Sequence, residues 1–79
     1  SPLFIASYRG HVNIVRLLVE NGADMNQVNN EGHVPLHAAL TNRDLVTITL
    51  LIEKGADINI QNESRETPLY FSIQRGYLD

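Results

Sequence analysis

The sequence of 79 residues predicts an all-α solenoid, built of helix-turn-helix pairs joined by β-turn or hairpin loops and stacked side by side. Three observations predict it. "NGADMN" at 21–26 and "KGADIN" at 54–59 are nearly one phrase, with Gly22 and Gly55 33 positions apart. The same offset aligns Pro2, Pro35 and Pro68, then Leu3, Leu36 and Leu69, then Leu17-Leu18 with Leu50-Leu51, and no insertion is needed anywhere. Self-similarity at a fixed period of about 20–50 residues marks stacked repeats. Finally, helix-starting and helix-ending residues recur at the same place in each period, so the repeating unit is helical.

The first helix of each period opens on proline, which fits a first turn because its missing N–H has no partner there to lose. Ser1 and Thr67 precede Pro2 and Pro68 with a hydroxyl able to cap a free N–H, whereas Val34 before Pro35 has none. These helices are expected to run to about residues 9, 42 and 75, roughly two turns each. A second apolar run follows, "VNIVRLLVENG" at 12–22 and "LVTITLLIEKG" at 45–55. Val12, Val15, Leu18 and Val19 form one helical stripe in the first copy. The second copy, rich in Val, Ile and Thr, could pass for a strand, but its frame with the first copy and its terminal Gly55 argue for helix. Gly22 and Gly55 supply the positive φ that ends a helix most cheaply. Ala23 and Ala56 then sit against a neighbouring backbone, while Asp24, Asp57, Asn26 and Asn59 offer side-chain bonds to the turn or to adjacent backbone.

"NNEG" at 29–32 has the Asn-first, Gly-fourth pattern of a type I turn, and "NESR" at 62–65 repeats it with Arg65 in the glycine's place. Arg65 is therefore expected at positive φ. Neither helix of a period can bury its apolar face alone, so the face must meet the next copy. The repeat boundaries are a partial unit at 1–28, a full unit at 29–61 and a partial unit at 62–79, about two and a third repeats. Leu3, Phe4 and Ile5 at one end and Leu69, Phe71, Ile73 and Leu78 at the other are not cap-like, and the chain reads as a segment of a longer array.

Composition narrows the function classes. An apolar fraction of 43% and a charged fraction of 19% with net charge −3 suit a folded domain. Six Lys+Arg against nine Asp+Glu, with no basic block, argue against nucleic acid as a partner. There is no cysteine for a disulfide or thiolate site, and no apolar run long enough for this segment to insert in a membrane. Ser1, Ser7, Ser64 and Ser72 lack a nucleophile-elbow context, and Asp24 and Asp57 are turn copies, not a catalytic pair. His33 and His37 are four apart, but Pro35 stands between them at the helix start, which puts His33 in the loop and defeats a helical metal pair. No catalytic residue, metal or cofactor is expected.

"EGHVPLHAAL" at 31–40 followed by "LLIEKGADIN" at 50–59 resembles the ankyrin repeat, known by a period of about 33 residues and a T-P-L-H signature. The resemblance covers the whole chain. The histidine after Leu is kept at His37 and replaced by Phe4 and Tyr70; the Gly-His pair before the second helix is Gly10-His11, then Arg43-Asp44, then Gly76-Tyr77. The resemblance implies that His37 bonds to backbone of the adjacent loop, with a similar structural role for His11. It implies protein–protein recognition and further ankyrin repeats on both sides; the absence of cysteine favours a reducing compartment, and a cytoplasmic or nuclear setting is expected. A structural spacer or tether within a large multi-domain or membrane protein is the alternative, as is part of a microbial effector. Ankyrin repeats with the spacing around Asn26 and Asn59 are also substrates of an asparaginyl hydroxylase, although a structural role explains the same residues. By place in such a repeat, loops and first helices line a concave face. Its candidate partner-binding residues are Tyr8 and Arg9 in the first unit, and Asn30, Glu31, His33, Thr41 and Asn42 in the second. The third unit adds Glu63, Ser64, Glu66, Gln74 and Arg75.

Overall fold

A computed structural model of the chain describes residues 1–62, 64–74 and 76. Among the described residues there are five helices and no strand: α1 (Pro2–Tyr8), α2 (Val12–Glu20), α3 (Pro35–Thr41), α4 (Leu45–Glu53) and α5 (Pro68–Gln74). The all-α prediction is met, with α1 and α3 each one residue shorter than expected and the expected end of the third first helix, residue 75, outside the described residues. Packing divides the helices into two layers. α1, α3 and α5 stack in one, α2 and α4 in the other, and each short loop folds a pair back on itself.

Helix starts follow the side chains available. Ser1 Oγ accepts the N–H of Phe4 at 3.3 Å and Thr67 Oγ1 accepts that of Tyr70 at 3.2 Å, whereas Val34 caps nothing. Asp44 is a cap the sequence reading passed over: Oδ1 accepts the Thr47 N–H at 3.3 Å while Oδ2 accepts the Thr47 hydroxyl at 2.6 Å. That double tie helps a β-branched segment start as a helix.

Helix ends share one geometry. After α2, Gly22 N–H donates to Val19 O and Ala23 N–H to Leu18 O, at 3.1 and 3.0 Å. After α4, Gly55 and Ala56 repeat this with Ile52 and Leu51 at 3.1 and 2.9 Å. These are paired bonds of a Schellman motif, which needs a left-handed residue just past the cap. Gly22 and Gly55 supply it at φ 89° and 104°. After α3 the same bonds form, Arg43 N–H to Leu40 O and Asp44 N–H to Ala39 O, with Arg43 itself at φ 55°. Its guanidinium Nη2 donates to Gly76 O at 2.8 Å, one full period along the chain.

The loops repeat as faithfully. Asn29 N–H donates to His33 O and Gly32 N–H to Asn29 O, while Asn29 Oδ1 accepts from Glu31 and His33 N–H at 2.9 and 3.0 Å. Asn62 does the same for Arg65, Ser64 and Glu66. Arg65 has φ 62°, as its place in the turn predicts. Asp24 Oδ1 accepts the Asn26 N–H at 2.8 Å, and Asp57 that of Asn59 at 2.9 Å.

The core lies between the layers around Leu3, Val15, Leu36, Leu40 and Leu51. Burial is not alike in equivalent positions. Ala38, Thr47 and Leu50 of the second unit are at most 5% exposed, covered by α1 and α2. Their first-unit counterparts Ile5, Ile14 and Leu17 are 48–61% exposed. At the other end Leu69, Tyr70 and Ile73 stand open where Leu36, His37 and Leu40 are buried.

Candidate functional site

An open groove of about 380 Å³ runs along the α1–α3–α5 layer beside the loop at 29–33. The i, i+4 spacing of α1 puts Phe4 and Tyr8 on it, their rings stacked with centroids 6.5 Å apart. α3 contributes His37 and Thr41, α5 contributes Phe71, and the loop contributes Asn29, Glu31 and His33. The hydrogen-bonded turn fixes the loop. It brings His33 back over the start of α3, where its ring stacks on His37 at 3.8 Å and 19°. Phe71 meets both imidazoles, edge-on to His37 at 4.6 Å and tilted against His33 at 5.3 Å.

That geometry bears on two sequence readings of these histidines. His33 lies in the loop ahead of α3, as Pro35 required. Stacked imidazoles hold their in-plane lone pairs side by side, not converging on one ion. Among the described residues no group of three or more potential ligands gathers at all. The expected bond from His37 to neighbouring backbone is not formed among the described residues. The ring is packed between His33 and Phe71 instead, 8% exposed. Burial, and secondarily the charge of His33, push the His37 pKa down to about 4, so the ring is neutral at pH 7. His11 is exposed and stands at the start of α2 with no side-chain capping bond.

Of the candidate residues, the groove brings together Tyr8, Glu31, His33 and Thr41. Thr41 is partly engaged, its hydroxyl donating to His37 O at 3.0 Å. Asn42 is exposed past the end of α3, and its Nδ2 donates to Ser7 O at 3.5 Å. Asn30 is exposed at the loop tip, and Ser64 is exposed in the next loop at the place Glu31 holds in this one. Glu66 lines a separate, water-sized cavity of about 10 Å³ between the loops and α5, together with His33, Thr67 and Phe71. Its Oε1 accepts from Asn62 Nδ2 at 3.3 Å. Gln74 is exposed on α5. Arg9 lies apart, at the end face beside Ile5, His11 and Ile14. Glu63 and Arg75 fall outside the described residues.

Sequence reasoning assigned Phe4 and Phe71 only to the open ends of the stack. Phe4 occupies the register of His37, the one signal that it belongs on this face. Phe71 occupies the register of Ala38 and gave no signal of its own.

A family model described as ankyrin repeats, three copies, matches residues 1–62. An ankyrin repeat protein of Rickettsia bellii is 42% identical over 40 residues, a stretch that covers 51% of this chain and 17% of that protein. The chain therefore spans well under two thirds of that relative's length.

Proposed function

The chain belongs to the ankyrin-repeat family, whose repeats are generally protein–protein interaction modules, and on that premise we propose that it binds a partner protein through the loops and first helices. One observation carries the reading: the groove combines aromatic rings with polar groups on a face that the fold leaves open. Phe4 and Tyr8 are aromatic anchors of the kind that dominate binding energy when a partner excludes water from them. The shallow, open shape of the groove suits a protein surface better than a small substrate, which is usually enclosed. The same openness argues against catalysis, since nothing would exclude water from a reacting centre. Photo-crosslinking tests the reading. Binders are selected from a displayed library of protein fragments, and benzoylphenylalanine is placed at Tyr8 or at Arg16 on the outer layer. Adducts are expected from position 8 and not from position 16; adducts from position 16 alone contradict it.

A second reading concerns the ends of the stack and rests on the burial comparison. Ile5, Ile14 and Leu17 are open where Ala38, Thr47 and Leu50 are covered by the preceding unit. We infer that a further helix pair of the same kind docks against α1 and α2, and another against α5.

A further inference from the structure

We propose that the groove receives a basic side chain, lysine or arginine, projected from an extended segment of the partner, an inference that rests on this face being the interface. Its walls are the rings of Phe4, Tyr8, His33 and Phe71, and a carboxylate, Glu31, stands on the loop beside them. Among the described residues no lysine or arginine lines it, and the whole chain carries net charge −3. The phenyl and phenol faces of Phe4, Tyr8 and Phe71 present negative electrostatic potential and attract a cation held within about 6 Å of the ring centre. Glu31 adds a full charge of the same sense. Its backbone is fixed by the N–H bond to Asn29 Oδ1 at 2.9 Å, and among the described residues its carboxylate forms no ion pair. An acidic side chain would be repelled by Glu31 and by the ring faces of Phe4, Tyr8 and Phe71. An aliphatic one would fit the rings but leave Glu31 desolvated without a partner.

The receptor is also preorganised. Phe4 stacks with Tyr8, and His33, His37 and Phe71 hold one another, so little side-chain freedom remains to be lost on binding. His37, buried and neutral at pH 7, adds no opposing positive charge to the floor.

An aromatic NMR titration of the full chain tests this with four acetylated, amidated heptapeptides, GSG-X-GSG with X lysine, arginine, norleucine or glutamate. The lysine and arginine peptides are expected to shift the ring signals of Tyr8 and Phe71 and to bind about two- to fivefold more tightly than the norleucine peptide. Glu31→Gln should remove most of that preference, and added salt should weaken it. Resonances of α2 around Arg16 should stay unmoved. Equal binding of the norleucine peptide, tighter binding of the glutamate peptide, or no ring shift with any of them overturns the proposal. If selected partners crosslink from position 8 yet present no basic residue there, the basic-side-chain assignment fails and the interface stands. If crosslinks form only from position 16, both fail.

Discussion

The side-chain oxygen of Asn26 accepts the backbone N–H of Asp57 at 2.9 Å, tying the loop of one unit to the loop of the next. Its counterpart Asn59 has no such bond among the described residues. Asn26→Ala should therefore destabilise the chain by about 1 kcal/mol, the net worth of one hydrogen bond with its donor left to water. Asn59→Ala should stay within about 0.5 kcal/mol of the parent, as surface changes usually do. Urea unfolding of both variants checks this, and equal losses would show that the loop tie contributes nothing.

Arg43 and Arg65 hold the same left-handed conformation in different surroundings. Arg65, at φ 62°, is exposed at a loop tip, so Arg65→Gly should stabilise by about 0.5–1 kcal/mol, the relief of a strained Cβ less the added chain entropy of glycine. Arg43→Gly gains the same relief at φ 55° but loses the 2.8 Å bond to Gly76 O, so its net effect should lie near zero. A gain at Arg43 as large as at Arg65 would mean the cross-period bond has no energetic value.

Acid should find His37. In the unfolded chain it titrates near 6.5 and in the fold near 4, so between those values the unfolded state binds a proton that the native state does not. Stability is then fully present above about pH 6.5 and falls as pH drops, by up to about 1.4 kcal/mol per unit, until about pH 4. His37→Phe, the residue its register carries at Phe4, should flatten that slope. Chemical unfolding at intervals from pH 7.5 to pH 4 measures it. An unchanged slope in the variant would assign the acid sensitivity elsewhere.

Much of this was legible in the sequence because a repeat states its rules more than once. Pro35 fixed a helix start, Gly22 and Gly55 fixed two ends, and the shared frame made α4 a helix despite Val46, Ile48 and Ile52. Arg65 at positive φ was readable because Gly32 holds the same place one unit earlier. The His33–His37 stack was not readable, because it depends on how the loop turns back over α3, and residue spacing carries no such angle. Nor does spacing show that the His37 ring packs against those of His33 and Phe71. Phe71 was read as one of the apolar residues of the open end, and only the fold places it over both imidazoles. Periodicity thus reveals what copies share. The site is made from where they differ.

The open end of α1 and α2 gives a stability prediction. Covering Ile5, Ile14 and Leu17 with one further helix pair of the same kind should add several kcal/mol, at about 1.5–3 kcal/mol for each large apolar side chain fully buried. Tm should then rise by about 10 °C or more for a chain of this size. Sedimentation of the 79-residue chain should show concentration-dependent self-association that Ile5→Lys weakens. An unchanged Tm in the extended chain, with a strictly monomeric parent, would mean that these side chains are content in water.

Recognition through the groove is tested most directly by calorimetry of a selected partner against two pairs of variants. Tyr8→Ala with His33→Ala alters the groove, and Arg16→Glu with Glu20→Lys alters the outer helix. The groove pair should lose at least about 2 kcal/mol of binding energy, the level at which truncating an anchor residue is felt, with the outer pair changing affinity by less than about threefold. Circular dichroism confirms that each variant remains helical. Full affinity in the groove pair together with lost binding in the outer pair would place the interface on α2 and α4 and contradict the account.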